Sequence, residues 1–161
     1  MSEEKKYTIQ EANQFFAIEH NNNIWSLLSK KEKTEDDNNE IINLAHSSLL
    51  HWSKSPKCKI VNLQRGEYMI SIAYTNANRA ESALYHAKKC MKITEENREE
   101  MEDFDIAYAF LGMAKALNLS ENEIISRKEE ADKYLEEAKK LGEKIKDEED
   151  KNIFMGDLEE G

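Results

Sequence analysis

His86 and Cys90 stand four residues apart, a spacing that puts both on one face of a helix and suits two ligands of a zinc ion. A third and fourth ligand would have to come from His46, His51 or Cys58. His46 and His51 are five apart, a poor match to a shared helix face, and no CxxC or HxxxH pair occurs. Buried, neutral His and Cys side chains with satisfied partners explain the same residues. Cys58 lies between Lys57 and Lys59, whose charges would lower its pKa and favour the nucleophilic thiolate. Nucleophilic catalysis would also need a basic partner in a cleft, and a Lys-Cys-Lys triplet after Pro56 is equally a plain loop. No nucleophile elbow, phosphate-binding loop or Gly-rich turn is present. The expectation is a chain without catalytic residues, metal or cofactor, acting by binding.

The elements that would position any such site are helical. The 161 residues include one Pro and five Gly, few for a fold of many tight turns, and favour the good helix formers Ala, Leu, Lys and Glu. A single domain over residues 1–150 is expected, followed by an acidic tail at 151–161, partly ordered or disordered. The 23 basic and 33 acidic side chains leave a net charge of −10, which argues against nucleic acid or an anionic membrane as partner. Residues 121–161 hold 15 acidic and 8 basic side chains, a pattern usual for a solvated helix face. Two cysteines are too few for a disulfide framework, and no signal-type or membrane-spanning apolar stretch is seen, so a cytoplasmic location is expected.

Thr8-Ile9-Gln10-Glu11 and Ser120-Glu121-Asn122-Glu123 read as capping boxes, and Thr34 as a further cap. Asn21-Asn22-Asn23 either breaks the first helix or passes along its exposed face. Pro56 ends the second, because the residue before proline is pushed away from helical angles. The most informative stretch is Gln64–Ile93. Small residues (Ser71, Ala73, Ala83, Ala87, Cys90) fall where two helices must approach, and Tyr68, Ile70, Tyr74 and Leu84 fill the space around them. A joint at Thr75–Arg79 separates two helical segments, which predicts a close-packed antiparallel hairpin. A fifth helix from near Asp103 to Leu117 and a long one from Ser120 to about Lys146 bring the count to about six.

Ile70-Ser71 and Tyr74 on the first helix, with Ala83, Ala87 and Cys90 on the second, resemble the tetratricopeptide repeat. Leu111-Gly112 with Ala131 and Ala138 resembles an elongated second copy, with Lys115 where an aromatic would be expected. The His51-Trp52 pair, the Tyr85–Cys90 run and the Asp147–Lys151 end also look similar to bacterial helical proteins. The resemblance implies an all-α fold of antiparallel hairpins stacked as a short right-handed superhelix. It also implies a concave surface, lined by the first helix of each pair, that holds a protein or peptide. The family's groove-facing positions fall on Arg65, Tyr68, Met69, Ile72, Thr75 and Asn76, where an Arg, an aromatic and an amide could grip a peptide backbone and one carboxylate; the competing reading packs Tyr68, Met69 and Ile72 on the preceding helix and puts Arg65 in an ordinary ion pair. The alternative is a small-ligand or metal-binding helical protein using His86, Cys90 and nearby histidines. Self-association through the last long helix is a further possibility, making a homo-oligomer.

Overall fold

Helix starts are set by side chains that accept otherwise orphaned backbone N–H groups. The computed structural model describes residues 6–119 and 125–160. Seven α-helices run through these residues: α1 (Ile9–Leu28), α2 (Glu35–Lys54), α3 (Ile60–Asn76), α4 (Ala80–Glu96), α5 (Asp103–Asn118), α6 (Ile125–Gly142) and α7 (Glu148–Glu159). A 3-10 turn at Arg98–Glu100 precedes α5, and no strand occurs among the described residues. Thr8 and Thr34 each accept from the backbone three residues on, while Glu11 and Asp37 return the bond to the cap residue. The capping box at Ser120–Glu123 lies outside the described residues.

α1 passes through Asn21–Asn23 without a break, with Asn22 and Asn23 exposed. The helices pack in consecutive pairs, α1 with α2, α3 with α4 and α5 with α6. The second helix of one pair also lies on the first helix of the next, and α3 touches α5 directly. Connections this short leave paired neighbours antiparallel.

The small residues mark the approaches. Ser71, Ala73, Ala83, Ala87 and Cys90 are all buried. Ser71 Oγ donates to the Ala83 carbonyl across the α3/α4 pair at 2.9 Å, and Ser48 Oγ donates to the Ala17 carbonyl across α1/α2 at 2.7 Å. A short hydroxyl at such a crossing both permits the approach and satisfies its own donor. The α3/α4 joint depends on Asn78, whose φ of 54° is left-handed. Arg79 N–H donates to the Tyr74 carbonyl and Asn78 N–H to the Thr75 carbonyl, the paired bonds of a Schellman ending.

The C-terminal region departs from expectation. α6 ends at Gly142 rather than near Lys146, and the acidic Asp147 is the N-cap of a separate helix, accepting from Asp150 N–H. α7 therefore crosses the boundary drawn at residue 150, and it is the seventh helix among the described residues. Its anchor is Phe154, fully buried on the backbone of α6, where a Cβ on Gly142 would overlap the ring. α7 packs on both α5 and α6.

If the left-handed angle at Asn78 sets the hairpin, Asn78→Val should lower the unfolding free energy by roughly 1–2 kcal/mol, whereas Asn78→Gly should stay close to wild type. Urea denaturation at 25 °C checks this, and equal effects of the two substitutions would contradict it.

Candidate docking groove

The first helices of the three pairs share one open recess of about 380 Å³. α1 contributes Asn21 and Trp25, and α3 contributes Gln64, Arg65, Tyr68 and Met69. α5 adds Phe104, Asp105 and Tyr108, and α7 closes one side with Ile153. The walls are almost wholly apolar. Trp25 and Ile153 are about half exposed, at 48% and 52% of their full surface. Aromatic rings form the base. Tyr68 meets Tyr108 edge-on at 5.0 Å, and Tyr108 packs on Phe104 at 4.6 Å and on Phe154 at 4.9 Å. Gly112 lets α5 come within 3.1 Å of the Tyr68 ring, measured to the position a Cβ would take. The Tyr108 hydroxyl donates to Asp157 at 2.5 Å, tying α5 to α7. Burial pushes the phenols of Tyr68 and Tyr108 well above their ordinary value, so both stay neutral.

Three of the polar groups around this recess, Gln64, Arg65 and Asp105, are bonded to one another. Arg65 Nε lies 2.6 Å from Asp105 Oδ1 and Nη2 lies 3.2 Å from Oδ2, a bidentate pair whose carboxylate is 1% exposed. Gln64, equally buried, donates through Nε2 to the Asp105 carbonyl at 2.9 Å and to Thr94 Oγ1 at 3.0 Å. Thr94 then donates to the Cys90 carbonyl. α3, α4 and α5 are thereby held by one buried network.

The six groove positions expected on α3 divide. Arg65, Tyr68 and Met69 line the apolar recess. Ile72, Thr75 and Asn76 line a second, more polar one of about 360 Å³, with Lys115, Asn118, Leu119 and Glu160. Thr75 Oγ1 and Asn76 Nδ2 donate back to the carbonyls four residues earlier, so those donors serve their own helix. Two of the five guanidinium N–H groups of Arg65 are used by Asp105. Trp25, Phe104, Tyr108 and Ile153 were not singled out from the sequence. Phe104 and Tyr108 belong to the apolar stripe of α5, but which part of that stripe meets a neighbour is a tertiary matter.

The histidine and cysteine side chains go elsewhere. His86 Nδ1 lies 2.6 Å from Glu67 Oε2, and Lys89 Nζ lies 2.5 Å from Oε1. His46 Nε2 meets the Tyr74 hydroxyl at 3.1 Å, and Tyr74 stacks on His86. His51 Nδ1 meets Asn13 Oδ1 at 2.8 Å. Burial raises the Glu67 carboxyl, but hydrogen bonds from His86 and Lys89 outweigh it and hold the group below the usual carboxylate range. Cys90 is packed in the core, its thiol pushed up to about 12 by burial. At Cys58 burial raises the thiol pKa, contrary to the lowering expected from the flanking lysines. Among the described residues, no three His, Cys, Asp or Glu side chains are grouped to hold a metal ion. No described helix is long and apolar enough to cross a membrane. No family model matches the chain, and no curated protein or solved structure matches it.

Two measurements bear on these networks. A double-mutant cycle with Arg65→Met and Asp105→Asn should give a coupling of roughly 1–3 kcal/mol, and less than about 0.5 kcal/mol would show the pair to be idle. The lowered Glu67 carboxyl stabilises the fold above its unfolded pKa of roughly 4.3, and this contribution is lost as pH falls through the folded value. Wild type should therefore lose stability below about pH 4.5 more steeply than Glu67→Gln, as followed by urea unfolding between pH 7 and 3. Parallel curves would contradict the assignment.

Proposed function

We propose that this chain is a non-enzymatic, tetratricopeptide-like docking module that holds a segment of another protein, or a peptide, in the recess between α1, α3, α5 and α7. The observation that carries the reading is that the first helix of every pair sends side chains into one open apolar cleft. Arg65 and Gln64 at its edge are already tied inward to Asp105. Such a surface supplies binding energy chiefly by burial of aromatic and aliphatic groups, with the half-exposed Trp25 and Ile153 as the natural anchors.

The consecutive pairing of helices supports a right-handed superhelical stack of the repeat kind. Free cysteines and the high negative charge suit a reducing, cytoplasmic setting. Arg65 acts in this reading as scaffold first, with its remaining N–H groups available at the rim to orient the bound backbone. A small apolar ligand is a second reading, favoured by the volume of the cleft, which falls in the range that drug-sized molecules occupy.

Panning a random twelve-residue peptide library on the full chain, with counter-selection on Ile153→Asp, separates these. Ile153 is exposed, so the variant should fold while placing a charge in the cleft. Enriched peptides should bind the variant at least tenfold more weakly, as read by fluorescence polarisation. Equal binding to both proteins, or no enrichment, would set the docking reading aside.

A further inference from the structure

The starts of α5 and α7 lie side by side. Glu102, Asp103 and Phe104 from one and Asp147 and Asp150 from the other line a notch of about 380 Å³, together with Lys146. Phe104 belongs to both this notch and the apolar cleft, and Asp150 precedes Ile153 by one helical turn on α7, so the two recesses adjoin along the same two helices. The local cause of the acidity is ordinary, since carboxylates are favoured in a first helical turn. The consequence is not local, because two helix starts converge and their acids share one surface.

Four carboxylates face the Lys146 ammonium there; the nearby Arg65 charge is matched by Asp105, and the two helix ends contribute only about +0.5 charge each, so the notch stays negative. Asp37, Glu67, Glu96, Asp105 and Glu137, none of them in the notch, stand in ion pairs elsewhere. Glu102 and Asp150 also act electrostatically on Arg65 at the cleft's edge, which places notch and cleft within each other's field.

We propose that the segment bound in the apolar cleft carries one or more lysines or arginines beside its apolar anchor, and that these sit on the acidic notch of Glu102, Asp103, Asp147 and Asp150. The inference rests on the docking reading and names the chemistry of its partner. A cleft that continues into negative surface selects an apolar-plus-basic segment over an apolar-plus-acidic one, both by attraction to the first and by repulsion of the second. A second copy of this chain is the wrong occupant on charge grounds, because each copy carries −10.

The peptides recovered by panning on the full chain test this whatever the natural partner is. Their sequences should pair an aromatic or large aliphatic residue with Lys or Arg. One such peptide, fluorescein-labelled, should bind at least fivefold more weakly to Glu102→Gln/Asp103→Asn/Asp150→Asn, a variant that keeps the Asp147 cap. Raising sodium chloride from 50 to 500 mM should weaken wild-type binding more than it weakens binding to that variant. Peptides that bind the cleft, as shown by loss of affinity in Ile153→Asp, but lack basic residues or ignore the triple variant would overturn the inference and leave the docking reading standing. Absence of any cleft-dependent peptide would remove both. Sedimentation of the unliganded chain as a dimer that Ile153→Asp dissolves would overturn the inference by assigning the cleft to a second copy.

Discussion

A carboxylate shut away from water must be paired, and Asp105 is where this molecule meets that constraint. With 1% of its side chain exposed, an unpaired Asp105 would carry a destabilisation of several kcal/mol. Arg65 and the start of α5 answer it. The guanidinium takes both oxygens, the Glu102 N–H adds a bond to Oδ2, and Gln64 holds the Asp105 backbone carbonyl. These bonds fix α3 against α5 in one register. That register sets the Tyr68–Tyr108 contact, and through Tyr108 it sets the contacts to Phe154 and Asp157 that seat α7. The cleft is what remains open when α1 and α7 stand on either side of this tied centre.

The same logic separates two kinds of polar cluster. Glu67, His86, Lys89, His46 and Tyr74 form a second network on the other side of α3, packed between α2 and α4. Tyr74 stacks on His86 with His46 edge-on to both, and the buried carboxylate is met by His86 Nδ1 and the Lys89 ammonium. His46 and His86, which by type and spacing suggested ligands, are in hydrogen-bond and ring contact within this network. The apolar side chains at the mouth of the cleft differ, because Trp25 and Ile153 keep about half their surface in water.

Local features of the fold were legible in the residues. Thr8 and Thr34 cap as their spacing indicates, Asn78 takes the left-handed angle that an Asn at a helix joint permits, and the small residues from Ser71 to Cys90 are buried where two helices cross. Each of these depends on neighbours within a few positions or on one helix period. The misses need distant partners. Phe154 finds Gly142 only once α6 has turned back, so α7 read as a tail. Arg65 and Asp105 lie forty positions apart, and nothing in either helix's periodicity announces the pair. For Cys58 the adjacent lysines suggested activation, whereas the burial that decides its pKa comes from the fold. Half of the expected groove was placed on the recess, and the walls given by α1, α5 and α7 required the stacking of all three pairs.

This tied centre leaves an open, water-facing cleft rather than a sealed bundle. Solution NMR with an inert, soluble gadolinium chelate measures that openness residue by residue. Strong relaxation enhancement is expected at the Trp25 side chain and the Ile153 methyls, with the Gln64 side-chain amide and the Leu111 methyls spared. Trp25 and Ile153 signals as protected as those of Ile24 and Phe154 would contradict it.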